Sequence, residues 1–160
     1  MEIICFGDSI TRGYDVPYGR GWVEICDASI EGVNFTNYGV DGCSVQAMIY
    51  NIENWALTAV DDPTRHIFLM GGTNDILQGR DSAYVFKTLV KAIELASTKG
   101  QVIIGLETQI DSDMDGLDLV VREVNEQLKA YAEAHDIKVI DFYTTLFEAD
   151  QIGQIVFAGE

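Results

Sequence analysis

The stretch Ile4-Cys5-Phe6-Gly7-Asp8-Ser9-Ile10-Thr11-Arg12-Gly13-Tyr14 (ICFGDSITRGY, residues 4–14) decides how the chain is read. A short apolar run ends in a glycine, an acid and a hydroxyl. Such a run, bounded by Gly and polar residues, is what a strand buried on both faces looks like. The same pattern returns four times, so the predicted strands are Ile3–Phe6, Asn34–Tyr38, Ile67–Met70, Val102–Leu106 and Lys138–Phe142. Between them the apolar residues recur at intervals of three and four. Val45, Met48, Ile49, Ile52, Trp55 and Ala56 form one such stripe. Phe86, Leu89, Val90 and Ile93 form a second, and Val120, Val121, Val124, Leu128, Tyr131 and Ala132 a third. A weaker helix covers Trp22 to Ile30. Strands alternating with helices predict an α/β fold around a five-stranded parallel sheet. In such sheets ligands bind beyond the carboxyl ends of the strands, which makes the strand exits the informative residues.

The first strand exits into Gly7-Asp8-Ser9, the second into Asn37-Tyr38-Gly39-Val40-Asp41-Gly42, and the third into Gly71-Gly72-Thr73-Asn74-Asp75. Ester cleavage needs a nucleophilic hydroxyl and donors aimed at the developing oxyanion. Ser9 offers the hydroxyl and its own N–H, Gly39 a backbone N–H with no Cβ in the way, and Asn74 a side-chain amide. Taken singly, each has an ordinary explanation: a serine after a strand is usually a helix cap, a glycine a turn, an Asn-Asp pair a loop. The three together, at three separate exits, are much harder to obtain by chance.

These blocks resemble the SGNH hydrolases, also called GDSL esterases and lipases, from residue 3 to about residue 145. The resemblance implies a flavodoxin-like three-layer α/β/α sandwich. It implies that Ser9 is the nucleophile, with Ser9 N–H, Gly39 N–H and the Asn74 amide as the oxyanion hole. Gly-Asp-Ser-Ile-Thr lacks the second glycine of a Gly-x-Ser-x-Gly elbow, which disfavours the α/β-hydrolase fold. The implied substrate is a small acyl ester, a thioester or an acetylated sugar, with no metal and no other cofactor.

The resemblance also implies an Asp-x-x-His element near the C-terminus, whose histidine activates the serine. The sequence has only two histidines, His66 and His135, and both precede strands. Both belong to the amino-end rim of the sheet, and at about 3.3 Å per strand residue His66 is expected roughly 15 Å or more from the site rim. Three accounts follow. The chain, a single domain over 1–160, is truncated before that segment; a partner chain supplies the base; or the protein is a degenerate hydrolase that binds without cleaving. The first is preferred, because the tail reads as a strand exit with no closing helix.

Bulk properties narrow the function further. Ten basic against 26 acidic residues give a net charge of −16, which argues against nucleic acid and anionic membranes as partners. No segment approaches the length of a membrane helix, and the N-terminus lacks the basic start of a signal peptide. Three cysteines with no CxxC spacing read as free thiols in a reducing cytoplasm. Cys5 and Cys26 are expected in the core, and Cys43 at the start of a helix. Asp8 reads as structural, since an acid adjoining the serine cannot make a linear contact with its hydroxyl. Tyr14, Tyr18 and Trp22 either line a pocket or pack the first helix.

Asp111-Ser112-Asp113-Met114-Asp115-Gly116 imitates the start of a calcium loop, but position twelve is Arg122 where a bidentate glutamate is required. Ser9-Ile10-Thr11-Arg12-Gly13 imitates a phosphate loop, which keeps a flavin-binding protein as an alternative. Apolar surface left uncovered by truncation would favour pairing of the chain with itself.

Overall fold

The computed structural model describes residues 1–110 and 116–151. Its elements run β1 (Glu2–Gly7), α1 (Ser9–Arg12), α2 (Trp22–Ser29), β2 (Asn34–Gly39), α3 (Val45–Ala56), β3 (His66–Met70), α4 (Thr73–Leu77), α5 (Ser82–Ser97), β4 (Gln101–Leu106), α6 (Leu117–Ala134), β5 (Lys138–Asp141) and α7 (Phe142–Gln151). The strands form one sheet in the order β2-β1-β3-β4-β5, with every pairing parallel. Each predicted strand is present to within a residue.

Side chains alternate across this sheet. Ile4, Phe6, Ile67, Leu69, Val102 and Ile104 point to one face, where α3, α5 and α6 cover them with Val45, Met48, Val85, Leu89, Val121 and Leu128. Cys5, Phe68 and Met70 point to the other, against Val23, Trp22 and Phe142. This is the three-layer α/β/α arrangement of the flavodoxin-like folds. On the second face, Trp22 packs edge-on against Phe68 at 4.9 Å between ring centres and lies 5.4 Å from Phe142. Trp22 is thus a packing residue, whereas Tyr14 and Tyr18 are exposed.

The C-terminal expectation needs correction. Phe142 does not end a strand, and the chain after β5 is not a loop. Asp141 accepts the Thr144 N–H at 2.9 Å and the Thr144 hydroxyl at 2.7 Å. That cap turns the chain into α7 immediately after β5. The acidic run Asp111–Asp115 and the tail beyond Gln151 lie outside the described residues.

The two rims of the sheet differ in chemistry. At the amino rim, buried Arg65 holds the ends of β1, β3 and β4 together. It reaches Glu2 Oε2 at 3.2 Å, the Lys99 carbonyl at 3.2 Å and the Val60 carbonyl at 2.7 Å, with its guanidinium over Trp55. The Met1 amine, on the same rim, donates to the Gly32 carbonyl at 3.1 Å. The opposite, carboxyl rim carries the polar exits. Among the described residues no helix is long and apolar enough to cross a membrane.

Candidate active site

The first three exits are joined by backbone register. Gly7, the last residue of β1, pairs with Gly39 on one side and Met70 on the other. Val40 N–H donates to the Gly7 carbonyl at 3.0 Å, which carries the pairing one residue past β2. Ser9, Gly39 and Asn74 therefore share the carboxyl rim, as expected.

Ser9 is the first residue of α1. Asp8 caps this helix, its Oδ1 accepting the Ile10 N–H at 3.0 Å. The Ser9 hydroxyl and N–H have no hydrogen-bond partner among the described residues, and the side chain is half-buried. A turn of helix capped by its neighbour fixes the serine while leaving both groups unspent.

Asn74 is the second residue of α4. Its Nδ2 donates to the Cys43 carbonyl at 3.1 Å, and the next residue, Asp75, accepts the Val45 N–H at 3.0 Å. These two bonds lock the third exit onto the loop that follows β2. One amide hydrogen of Asn74 remains for a ligand. The lock demands a sharp turn, and Gly72 supplies it at φ +116. Burial raises the Asp75 carboxyl above its ordinary range. The Cys43 thiol, buried beside this loop, is pushed up to about 11 by burial, with the charges of Asp8 and Asp75 adding to it. It is a protonated packing group, in keeping with the sequence reading.

Gly39 has a different office from a simple donor. Its N–H already donates to Asn37 Oδ1 at 2.9 Å. A Cβ here would meet the Arg12 backbone, 2.8 Å from its Cα, and the Asp8 carbonyl at 2.9 Å. The glycine lets β2 close against α1. Gly42, three residues on, has no partner for its N–H among the described residues, and a Cβ there would meet open space. Sequence reasoning passed over it, although it belongs to the same glycine-bearing exit.

A second residue escaped that reading. Glu107 follows directly after β4, at a fourth strand exit, and is 4% exposed; Asp8 is 1% exposed. The two carboxyl groups face each other within hydrogen-bonding reach. The rule that singled out the first three exits covers this one equally.

His66 begins β3, where it pairs with Ile3 at the start of β1. Its Nδ1 lies 3.1 Å from the Thr64 carbonyl. His135 caps α6, with Nδ1 2.8 Å from the Tyr131 carbonyl and its ring stacked on Tyr131. Four strand residues separate the level of His66 from that of Gly7, about 13 Å. Neither histidine reaches Ser9. Among the described residues no cluster of His, Cys, Asp and Glu has the makings of a metal site. A cleft of about 440 Å³ opens beside α1 between the Gly13–Gly21 loop and β2, with Arg12, Tyr18, Glu24 and Asn37 in its walls.

A parallel sheet in this order, with a serine at the first exit and an asparagine at the third, is the arrangement expected of the SGNH hydrolases. The sequence model of the GDSL-like lipase/acylhydrolase family matches residues 5–154, and the chain belongs to that family. A crystal structure of a member of the lipolytic protein G-D-S-L family from Veillonella parvula DSM 2008 is 92% identical. The alignment covers 100% of this chain and 87% of that one, at a TM-score of 0.97. AlinE4, an SGNH-hydrolase family esterase, shares the fold at 21% identity and a TM-score of 0.80, covering 99% of this chain and 84% of its own. A putative lipolytic protein of the G-D-S-L family from Desulfitobacterium hafniense DCB-2 does so at 20% and 0.78, covering 99% and 85%. No curated protein sequence gives a match.

Proposed function

We propose that the chain is a serine esterase or acylhydrolase in which Ser9 attacks the carbonyl carbon of a small acyl ester, thioester or acetylated sugar. The observation that carries this reading is the shared carboxyl rim, which holds an unspent serine hydroxyl and the unspent donors of Asn74 and Gly42. In the first step the Ser9 Oγ–carbon bond forms and the carbonyl oxygen becomes an oxyanion. Ser9 N–H, the Asn74 amide and an N–H of the loop after β2 receive that charge. We assign this last position to Gly42, whose N–H is uncommitted, ahead of Gly39, which would have to leave Asn37. Collapse of the intermediate expels the alcohol or thiol and leaves acyl-Ser9, which water hydrolyses.

The proton of Ser9 needs an acceptor within about 3 Å. His66 and His135 stand at the other rim, so neither is that acceptor. Three cysteines, odd in number and without a CxxC spacing, fit a reducing compartment, and we read the protein as cytoplasmic.

The same observation about the histidines favours a second reading, a binding module that retains the acyl-ester cradle without cleaving. Hydrolysis of p-nitrophenyl acetate separates the two, with and without added imidazole as a substitute base and with Ser9→Ala as control. We expect turnover that imidazole enhances and Ser9→Ala abolishes, and a drop of about 10²–10³ in Asn74→Ala. Equal rates in wild type and Ser9→Ala under both conditions would leave the binding module.

A further inference from the structure

Beneath Ser9 lies a polar contact that the esterase reading does not use. Asp8 directly after β1, Thr73 at the start of α4 beyond β3, and Glu107 directly after β4 stand at the exits of neighbouring strands. Glu107 reaches across β3 to Asp8. Its backbone is anchored from the far side, because buried Asn125 of α6 donates to the Glu107 carbonyl at 3.0 Å.

The hydrogen bonding of the two carboxyl groups is incomplete in a telling way. Asp8 Oδ1 accepts the Ile10 N–H, but Asp8 Oδ2 and both Glu107 oxygens are buried without a donor in bonding geometry. The Thr73 hydroxyl and Thr108 N–H lie beside Glu107, and the Thr73 hydroxyl is itself without a well-placed partner. Two buried carboxylates facing each other without donors would carry a heavy desolvation and repulsion cost. One proton placed between them removes most of it. It turns two acceptors into a donor and an acceptor, and lowers the buried charge from two to one.

We propose that Asp8 and Glu107 share a single proton at neutral pH, and that Glu107 is thereby a positioning residue for the Ser9 turn. The proton resides on Glu107, which donates to the Asp8 carboxylate. Asp8 keeps the charge because it has the Ile10 N–H and the start of α1 to stabilise it. Burial raises both groups; the charge of Asp8 raises Glu107 further, and the bond from Glu107 offsets part of the rise in Asp8. Two other titratable groups face the pair. Asp75 of α4 adds a repelling charge, itself eased by Arg80, and the Cys43 thiol before α3 stays protonated. Loss of the shared proton would set two charges beside the atom that must become an oxyanion, and would push Asp8 off the cap of α1. The positioning half of this proposal rests on the esterase reading, and the proton itself does not.

The sign of the pH effect follows from linkage. The folded chain holds a proton that the unfolded chain releases above the ordinary glutamate value, so stability falls as pH rises from there to the folded value of the pair. Glu107→Gln keeps a donor to Asp8 and has no proton to lose. Urea unfolding of wild type and Glu107→Gln from pH 5 to 9 should show a wild-type folding constant that falls up to tenfold more per pH unit. The infrared carbonyl stretch of a protonated carboxyl should persist in wild type at pH 7 and disappear in Glu107→Gln. In the imidazole-supported assay the alkaline fall of the wild-type rate should vanish in Glu107→Gln, while Glu107→Ala is slow at every pH. Parallel unfolding slopes, or no protonated carboxyl band in wild type at pH 7, would overturn the shared proton. The band needs no variant to fold. If both physical signatures appear without any serine-dependent turnover, the pair stands and the esterase reading falls.

Discussion

Gly39 shows how one atom fixes the relation between two elements. Its missing Cβ lets β2 lie against the Arg12 backbone, and its N–H is tied to Asn37, whose own amide donates to the Thr11 carbonyl and Glu24 at 2.9 Å each. Gly39→Ala would force the backbones of β2 and α1 apart, since backbone cannot swing aside as a side chain does. We expect a loss of about 1–3 kcal/mol in urea unfolding. An unchanged midpoint would show that α1 yields without cost. The residue scale is also where sequence reasoning was weakest. The place of Ser9 and Asn74 on the carboxyl rim was legible from type and position, because each follows a strand. That Gly39 has spent its N–H, and Gly42 has not, depends on where the Asn37 side chain turns, which no spacing encodes. Glu107 was legible by the exit rule but reads as one more charge until Asp8 is seen facing it.

At the scale of elements, the strands were readable because burial on both faces of a sheet leaves short continuous apolar runs, and the long helices because burial of one face imposes a spacing of three to four. The short helices were not. α1 and α4 span four and five residues, too few for a periodic stripe to repeat, and they exist because Asp8 caps one and Gly72 bends into the other. α7 was hidden for another reason, as Phe142 and Tyr143 extend the apolar run of β5 and only the Asp141–Thr144 cap separates strand from helix. Burial by itself would raise the Asp141 carboxyl. The Thr144 N–H and hydroxyl and the Lys129 ammonium, 3.7 Å away, outweigh it and hold the group below its ordinary range. Its contribution is therefore complete above the ordinary aspartate value and is lost as pH falls through the lower folded value. Asp141→Ala should cost about 1 kcal/mol at pH 7 and much less near pH 3, by thermal unfolding at the two pH values. An equal cost at both would remove the carboxylate from the account of the cap.

For the whole molecule the dominant electrostatic fact is the charge of −16. A chain of this length has a radius of gyration of about 15 Å. At 10 mM salt the screening length is about 30 Å, so every acid repels every other; near 150 mM it is about 8 Å, and repulsion becomes local. Salt should accordingly stabilise the fold, raising Tm by several degrees between about 10 and 150 mM NaCl, with each kcal/mol worth about 2–4 °C at this size. Calorimetry at fixed pH checks it, and a Tm indifferent to salt would mean that the few ion pairs, such as Arg65 with Glu2, already balance the repulsion.

The amine of Met1 lies at the amino rim, bonded to the Gly32 carbonyl, while Ser9, Asn74 and the Asp8–Glu107 contact occupy the carboxyl rim. The molecule thus has a natural handle. Coupled to a bead or displayed on a phage through its first residue, it would present the carboxyl rim outward, with the full height of the sheet as a spacer between support and solute. A tether placed instead on the loop after β2 would stand in the doorway.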